Sequence, residues 1–203
     1  MIGIVDYGMG NLRSVKRKLD RINAPSFISD KPDELMKADK LILPGVGHFS
    51  NAVKELKTRG LWDYLNKEAM ITKKPVLGIC LGMQLMAKHS EEGDAQGFGW
   101  FDADVMRFKI QDRLKFKIPN MGWENVIPQK ESLLMSNIAP DALFYFVHSY
   151  HIQCNSKEDV LTASEYEYVF TSAIQKDNIF GTQFHPEKSH DSGEKLFKNF
   201  AEL

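Results

Sequence analysis

Two cysteines, Cys80 and Cys154, are all that the 203 residues contain. A disulfide framework is thereby excluded, and so is a metal site built on paired thiolates. No apolar run approaches the roughly 20 residues that span a bilayer. No basic or apolar leader stands ahead of Ile2-Gly3-Ile4-Val5. Neither charge is in excess: 26 basic against 27 acidic residues leave a net charge of −1. The chain therefore has no global attraction to nucleic acid or to an anionic membrane. Repeats, low-complexity tracts and linkers are missing too. What remains, with 43% hydrophobic and 26% charged residues, is ordinary for a globular protein. One cytoplasmic domain over residues 1–203 is expected, large enough to bury a sizeable core.

One stretch organises the rest: Pro75-Val76-Leu77-Gly78-Ile79-Cys80-Leu81-Gly82-Met83-Gln84-Leu85. Apolar residues lead into Gly-x-Cys-x-Gly, and an apolar, helix-compatible run follows. This is the pattern of a nucleophile elbow, with the nucleophile at the apex of a sharp strand-to-helix turn. A Cβ at either flanking glycine would crowd the close approach of strand and helix. At a helix start, unpaired N–H groups favour a negative charge on Cys80. A buried, inert cysteine is the alternative.

Before the elbow, hydrophobic periodicity predicts a strand over 2–5 and a helix from Asn11 with Leu12, Val15, Leu19 and Ile22 on one face. Strands over 26–29 and 40–43 follow, then a Pro44-Gly45-Val46-Gly47 turn. Two helices between Phe49 and Thr72 are expected to break near Gly60, and 90–94 to form a polar loop. Gly8-x-Gly10 after the first strand lacks the third glycine of a dinucleotide fingerprint, since Arg13 stands there. After Gly97 the pattern becomes strand-rich: 98–106, 114–118, 123–127, 143–147, 160–168, 170–175 and 179–184. A closing helix over 189–203 turns Leu196, Phe197 and Phe200 inward. The basic residues Arg107, Lys109, Arg113, Lys115 and Lys117 read as a solvated face, without the aromatic pattern of a single-strand binder. The fold class is α/β: a mixed, mostly parallel sheet flanked by helices, with an added antiparallel region.

A cysteine nucleophile needs a base and a group that fixes the base's tautomer. His185 ends an apolar strand in His185-Pro186-Glu187, and Glu187 can reach round to its ring. His48, His89, His151 and His190 have no such context and read as structural. An oxyanion site would draw on the N–H of Leu81, immediately after the sulfur, and on a glycine-rich loop such as 44–47.

In order along the chain come Pro-Gly-Val-Gly, Gly-Ile-Cys-Leu-Gly-Met-Gln, Pro-x-Met-Gly-Trp, Tyr-Phe-Val-His-Ser-Tyr and Gln-Phe-His-Pro-Glu-Lys-Ser. Together, over essentially the whole chain, they resemble the class I (triad-type) glutamine amidotransferases. Within that family they are most similar to the glutaminase subunits of imidazole glycerol phosphate synthase.

The resemblance implies glutamine as substrate, Cys80, His185 and Glu187 as triad, and the N–H groups of Val46 and Leu81 as oxyanion donors. It places Gly47, Gln84, Glu92, Ser149 and Tyr150 around the substrate. Met121, Trp123 and Lys188 match positions facing a (β/α)8-barrel synthase, which receives the ammonia. No cofactor or metal is implied. Two departures concern the acceptor: Asn120 and Glu124 stand where relatives usually carry His and Asn. In addition, Phe98-Gly99-Trp100-Phe101-Asp102-Ala103 is similar to a sister group that feeds a related barrel making nitrogen-modified surface sugars. A non-catalytic binder of the same fold and a cysteine peptidase are the remaining alternatives.

Overall fold

The computed structural model describes residues 1–203. Its first half alternates strand and helix: β1 Ile2–Val5, α1 Leu12–Arg21, β2 Ser26–Ser29, α2 Pro32–Leu35, β3 Lys40–Gly45, α3 Phe49–Thr58, α4 Leu61–Asn66, β4 Val76–Cys80 and α5 Leu81–Gln84. The second half is mostly strand: β5 His89–Ser90, β6 Ala95–Gln96, β7 Ala103–Arg107, β8 Asn120–Asn125, β9 Ile127–Pro128, β10 Leu143–His148, β11 Tyr150–Cys154, β12 Val160–Tyr166, β13 Tyr168–Lys176, β14 Ile179–Thr182, closed by α6 His190–Glu202.

The main sheet runs β2-β1-β3-β4-β14-β13-β11-β7-β5-β6, with β12 and β9 branching from β13. From β2 to β14 the pairings are all parallel, and β14 onward to β7 antiparallel. β8 and β10 form a separate antiparallel ribbon. Side chains alternate across the parallel strands, so Leu41 and Leu43 point into one core layer and Ile42 into the other. α1 and α6 cover the second layer with Val15, Leu19, Leu196, Phe197 and Phe200, as their spacing predicts.

Registers decide what this frame is for. Gly45 pairs with Cys80, and Thr182 with Ile79. The segments leaving β3, β4 and β14 therefore emerge side by side at the carboxyl edge of three adjacent strands, where open α/β sheets bind ligands. Those segments carry Val46-Gly47, Cys80-Leu81 and Gln183-His185.

Several boundaries differ from the sequence reading. Pro44 and Gly45 belong to β3, because the ladder to β1 ends at Ile42 and no N–H is needed on that side beyond it. The helix after Cys80 lasts one turn: the carbonyls of Leu85, Met86 and Ala87 are taken by the N–H groups of Phe98, Phe101 and Gly99. Of residues 90–94, Ser90 ends the short strand β5 and 91–94 join it to β6 in a small hairpin. The strand expected over 98–106 is confined to 103–107, and 114–118 is not strand at all. There the backbone is held from outside: Glu167 accepts from the N–H groups of Gln111 and Asp112 at 2.8 and 2.7 Å, and Tyr166 Oη from Lys117 N at 2.8 Å. No helix is long and apolar enough to cross a membrane.

The glycines of the elbow are steric necessities. A Cβ on Gly82 would lie 1.8 Å from the Leu43 carbonyl oxygen, and one on Gly78 2.7 Å from the Gly82 carbonyl. Gly82→Ala should therefore cost more than about 3 kcal/mol or prevent folding. Gly60→Ala meets nothing within 4 Å and carries only the strain of φ +68°, about 1 kcal/mol. Thermal melts of the two variants test the contrast; equal melting temperatures would refute it.

Candidate active site

Cys80 occupies the apex of the turn with φ 54° and ψ −108°, a region that non-glycine residues rarely enter. Such strain costs of order 1–3 kcal/mol and persists only where its surroundings enforce it. Here β4 below and the Gly78–Gly82 contact above do so, and the residue is 7% exposed.

His185 reaches the same edge from the end of β14. Its N–H donates to the Tyr145 carbonyl at 2.9 Å, and its carbonyl accepts from Ser189 Oγ at 2.6 Å. The backbone of His185 is thus fixed on both sides. Nδ1 donates to Glu187 Oε1 at 2.8 Å, with both side chains buried. That bond sets the tautomer and turns Nε2, which has no hydrogen-bond partner, to the Cys80 sulfur. Burial opposes charge on the imidazole, but the negative sulfur of Cys80, followed by Glu187, outweighs it and raises His185 to about 10.

A cavity of about 290 Å³ opens over the sulfur, at the small end of the range for small-molecule sites. Val46, Gly47, Leu81, Gln84, Glu92, Ser149 and Tyr150 all line it with Cys80 and His185. Glu187 sits behind His185 and faces a separate polar opening beside Arg17, Lys18 and Arg21. Gln84 is buried, its Nε2 donating to the Tyr150 carbonyl and to Gln183 Oε1, each at 3.0 Å. Glu92 is tied by one oxygen to the Phe49 N–H at 2.8 Å, at the start of α3. Gly47 takes φ +107°.

Three residues in or beside the site were not singled out from the sequence. His148 lines the cavity; its Nδ1 donates to the Tyr150 carbonyl at 2.8 Å, and burial pushes it down to about 3, so it stays neutral. Tyr7 is buried with an unpartnered hydroxyl, and a Cβ on Gly45 would lie 2.3 Å from it. Gln183 donates to Cys80 Sγ at 3.6 Å. The available signal was alternation: in extended chain, residues 183 and 185 share a face.

Met121 and Trp123 stand exposed on β8, at 62% and 42%. Trp123 stacks on His190 at 5.0 Å, and Lys188 Nζ lies 5.3 Å from the Tyr145 ring centroid. These residues form one surface beside the ribbon that carries His148. No group of three or more His, Cys, Asp or Glu side chains is disposed to hold a metal ion.

A mixed α/β sheet with a strained cysteine beside an imidazole–carboxylate pair, at the carboxyl edge of its parallel strands, has the layout of an α/β enzyme site. Residues 4–203 match the family described as Glutamine amidotransferase class-I. The chain belongs to the class I glutamine amidotransferases. It is 49% identical to "Imidazole glycerol phosphate synthase subunit HisH 2" of Methanococcus maripaludis, over 98% of either chain. It is 47% identical to the Pseudomonas aeruginosa protein of that description, over the full length of both. A "subunit HisH 1" of Campylobacter jejuni shares 45%, again over both full lengths. A solved glutamine amidotransferase superposes with a TM-score of 0.74 at 19% identity, covering 100% of this chain and 99% of that one. PurLQS of Thermotoga maritima does so with 0.71 at 17%, covering 98% and 96%.

Proposed function

We propose that the chain is the glutaminase subunit of an imidazole glycerol phosphate synthase, releasing ammonia from glutamine for histidine biosynthesis. Similarity of 45–49% over full length to relatives of that description supports the pathway. The observation that carries the chemistry is the 2.8 Å His185–Glu187 bond, which leaves Nε2 free toward the sulfur beneath the cavity.

Cys80 thiolate attacks the side-chain carbonyl carbon of glutamine, and the C=O π pair moves onto oxygen. The N–H groups of Leu81 and Val46 are assigned to that oxyanion. As the carbonyl re-forms, the C–N bond breaks and His185 Nε2 gives its proton to the leaving nitrogen, which departs as ammonia. Water then adds to the thioester carbon and loses a proton to Nε2. The C–S bond breaks, glutamate leaves, and the thiolate–imidazolium pair is restored. Glu187 stabilises the imidazolium and holds its ring. Gly47, Gln84, Glu92, Ser149 and Tyr150 are assigned to glutamine binding.

Ammonia released into water at neutral pH becomes ammonium, which has no lone pair for attack. Its use therefore requires a synthase subunit docked over the site, a (β/α)8 barrel that takes the ammonia without exposing it. Met121, Trp123 and Lys188 are the proposed docking residues, in a heterodimer working in the cytoplasm as one domain over 1–203. Val46, 42% exposed on the loop after β3, is expected to present its N–H fully only once docked. Glutamate release by the isolated chain should then lie about 10²–10³-fold below that of the complex, the worth of one oxyanion donor. Equal turnover with and without the partner contradicts this.

A second reading concerns only the acceptor. Asn120 Oδ1 and Glu124 Oε2 are buried without partners on the strand that carries Met121 and Trp123, and burial raises Glu124. These departures leave the acceptor open, and the likeness of Phe98–Ala103 to the sister group makes the related synthase for nitrogen-modified surface sugars the alternative. Co-purification of the native partner, with glutamine and each candidate acceptor, decides: the aminated product identifies the pathway.

A further inference from the structure

One side chain between the cavity wall and the nucleophile has no part in the reaction as written above. Gln183 follows the last residue of β14 and is fully buried. Its backbone N–H donates to the Ser172 carbonyl at 2.8 Å, which pins the chain in place. Its side chain joins a run of hydrogen bonds. Gln84 Nε2 donates to the Tyr150 carbonyl and to Gln183 Oε1, each at 3.0 Å, and Gln183 Nε2 donates to Cys80 Sγ at 3.6 Å.

Elementary donor and acceptor chemistry fixes the direction of this run. A backbone carbonyl only accepts, so Gln84 must turn its NH2 to Tyr150. The atom of Gln183 that the same NH2 meets must then be oxygen. That leaves the Gln183 NH2 for the sulfur, and neither amide can flip without losing both ends of the run. Gln84 Oε1, the acceptor left over, is available to whatever fills the cavity.

We infer that Gln183 is a positioning residue that holds the Cys80 sulfur for attack, with its orientation set by Gln84. This rests on the glutaminase reading above. A buried sulfur carrying charge needs a donor. Gln183 is the donor in place, whereas His185 Nε2 faces the sulfur without a hydrogen bond and surrenders its proton during turnover. Gln183 is neutral and keeps its protons throughout, so it holds the sulfur at every stage without competing for the proton in transit. Hydrogen bonds to charged groups are the strong ones, and losing this donor should be felt in the chemical step.

The test uses the full chain co-purified with its partner, in the variants Gln183→Met and Gln183→Glu. Glutamate release gives kcat and KM, and iodoacetamide labelling gives the reactivity of Cys80 without substrate. Gln183→Met should lower kcat about 10- to 100-fold. KM should stay within about threefold, because the Gln84–Tyr150 bond survives. Gln183→Glu, with a carboxylate where the donor was, should fall below Gln183→Met in both kcat and labelling rate. A purely space-filling role predicts the reverse order, since glutamate has the shape of glutamine and still accepts from Gln84. The inference is overturned if Gln183→Met keeps kcat within twofold of wild type, or if Gln183→Glu outperforms it. Should Gln183→Met not fold, Gln183→Glu alone decides: activity within twofold of wild type overturns the inference, and a loss of tenfold or more at unchanged melting temperature sustains it. If instead the wild-type complex releases no glutamate, or Cys80→Ser retains release, the glutaminase reading itself has failed.

Discussion

Cys80→Ser should lower glutamate release by at least about a thousandfold while leaving the melting temperature nearly unchanged. The substitution keeps size, shape and buried position, so the fold has no reason to respond. The chemistry does, because the proposed nucleophile is a thiolate, and a serine hydroxyl supplies no such charge at neutral pH. Without that charge, His185 loses the largest influence that raises it, and the ring becomes neutral more readily. The nucleophile and the acid that frees ammonia are thus lost together. Steady-state glutamate release and a thermal melt on one preparation check both halves; activity within tenfold of wild type contradicts the assignment.

Glu187→Gln should reduce kcat by about 10²–10⁴-fold. Its carboxylate accepts the Nδ1 proton at 2.8 Å and carries the charge that offsets the imidazolium. An amide there can still accept through oxygen, but it brings no charge, and turned the other way it stabilises the wrong tautomer. A pH signature accompanies the loss. In the proposed mechanism His185 must be protonated to release ammonia, and its value is raised to about 10, so the alkaline limb of kcat/KM lies near there in the wild type. Glu187 contributes to that rise, so removing its charge moves the limb toward lower pH. An unchanged profile across pH 7–10 would show that Glu187 does not act through His185.

Local signals made the centre of this site legible in the sequence. A Cβ on Gly78 would lie 2.7 Å from the Gly82 carbonyl, a constraint set within the elbow itself, while one on Gly82 would lie 1.8 Å from the Leu43 carbonyl oxygen of the neighbouring strand β3. His185 and Glu187, two apart across Pro186, likewise meet through a short turn. The two helices broken at Gly60, with its φ of +68°, followed from the same kind of evidence. Features set by distant partners were not legible. Leu114-Lys115-Phe116-Lys117-Ile118 alternates like a half-buried strand, yet Leu114 is 92% exposed and the segment is tied down through Lys117 by Tyr166, some 50 residues away. The apolar run 81–87 reads as a longer helix, but loop 98–101 claims its carbonyls. Pro44 reads as a strand end, and only the early finish of the β1 ladder keeps it in β3. His148 and Gln183 gain their roles from packing of β10 and β14 against the elbow, which periodicity does not report.

Of the two thiols in the chain, one must be reactive and the other not. Cys154 is half-buried, with its thiol pushed up to about 12 by burial and then by Asp159, and it faces no imidazole. An electrophilic glutamine analogue, applied to the native complex and mapped by peptide mass spectrometry, compares the two directly. A single adduct on Cys80, suppressed by excess glutamine and absent when Glu187→Gln is treated for the same short time, is the predicted result. Labelling of Cys154 instead, or unlabelled Cys80 in a complex that still releases glutamate, would contradict it.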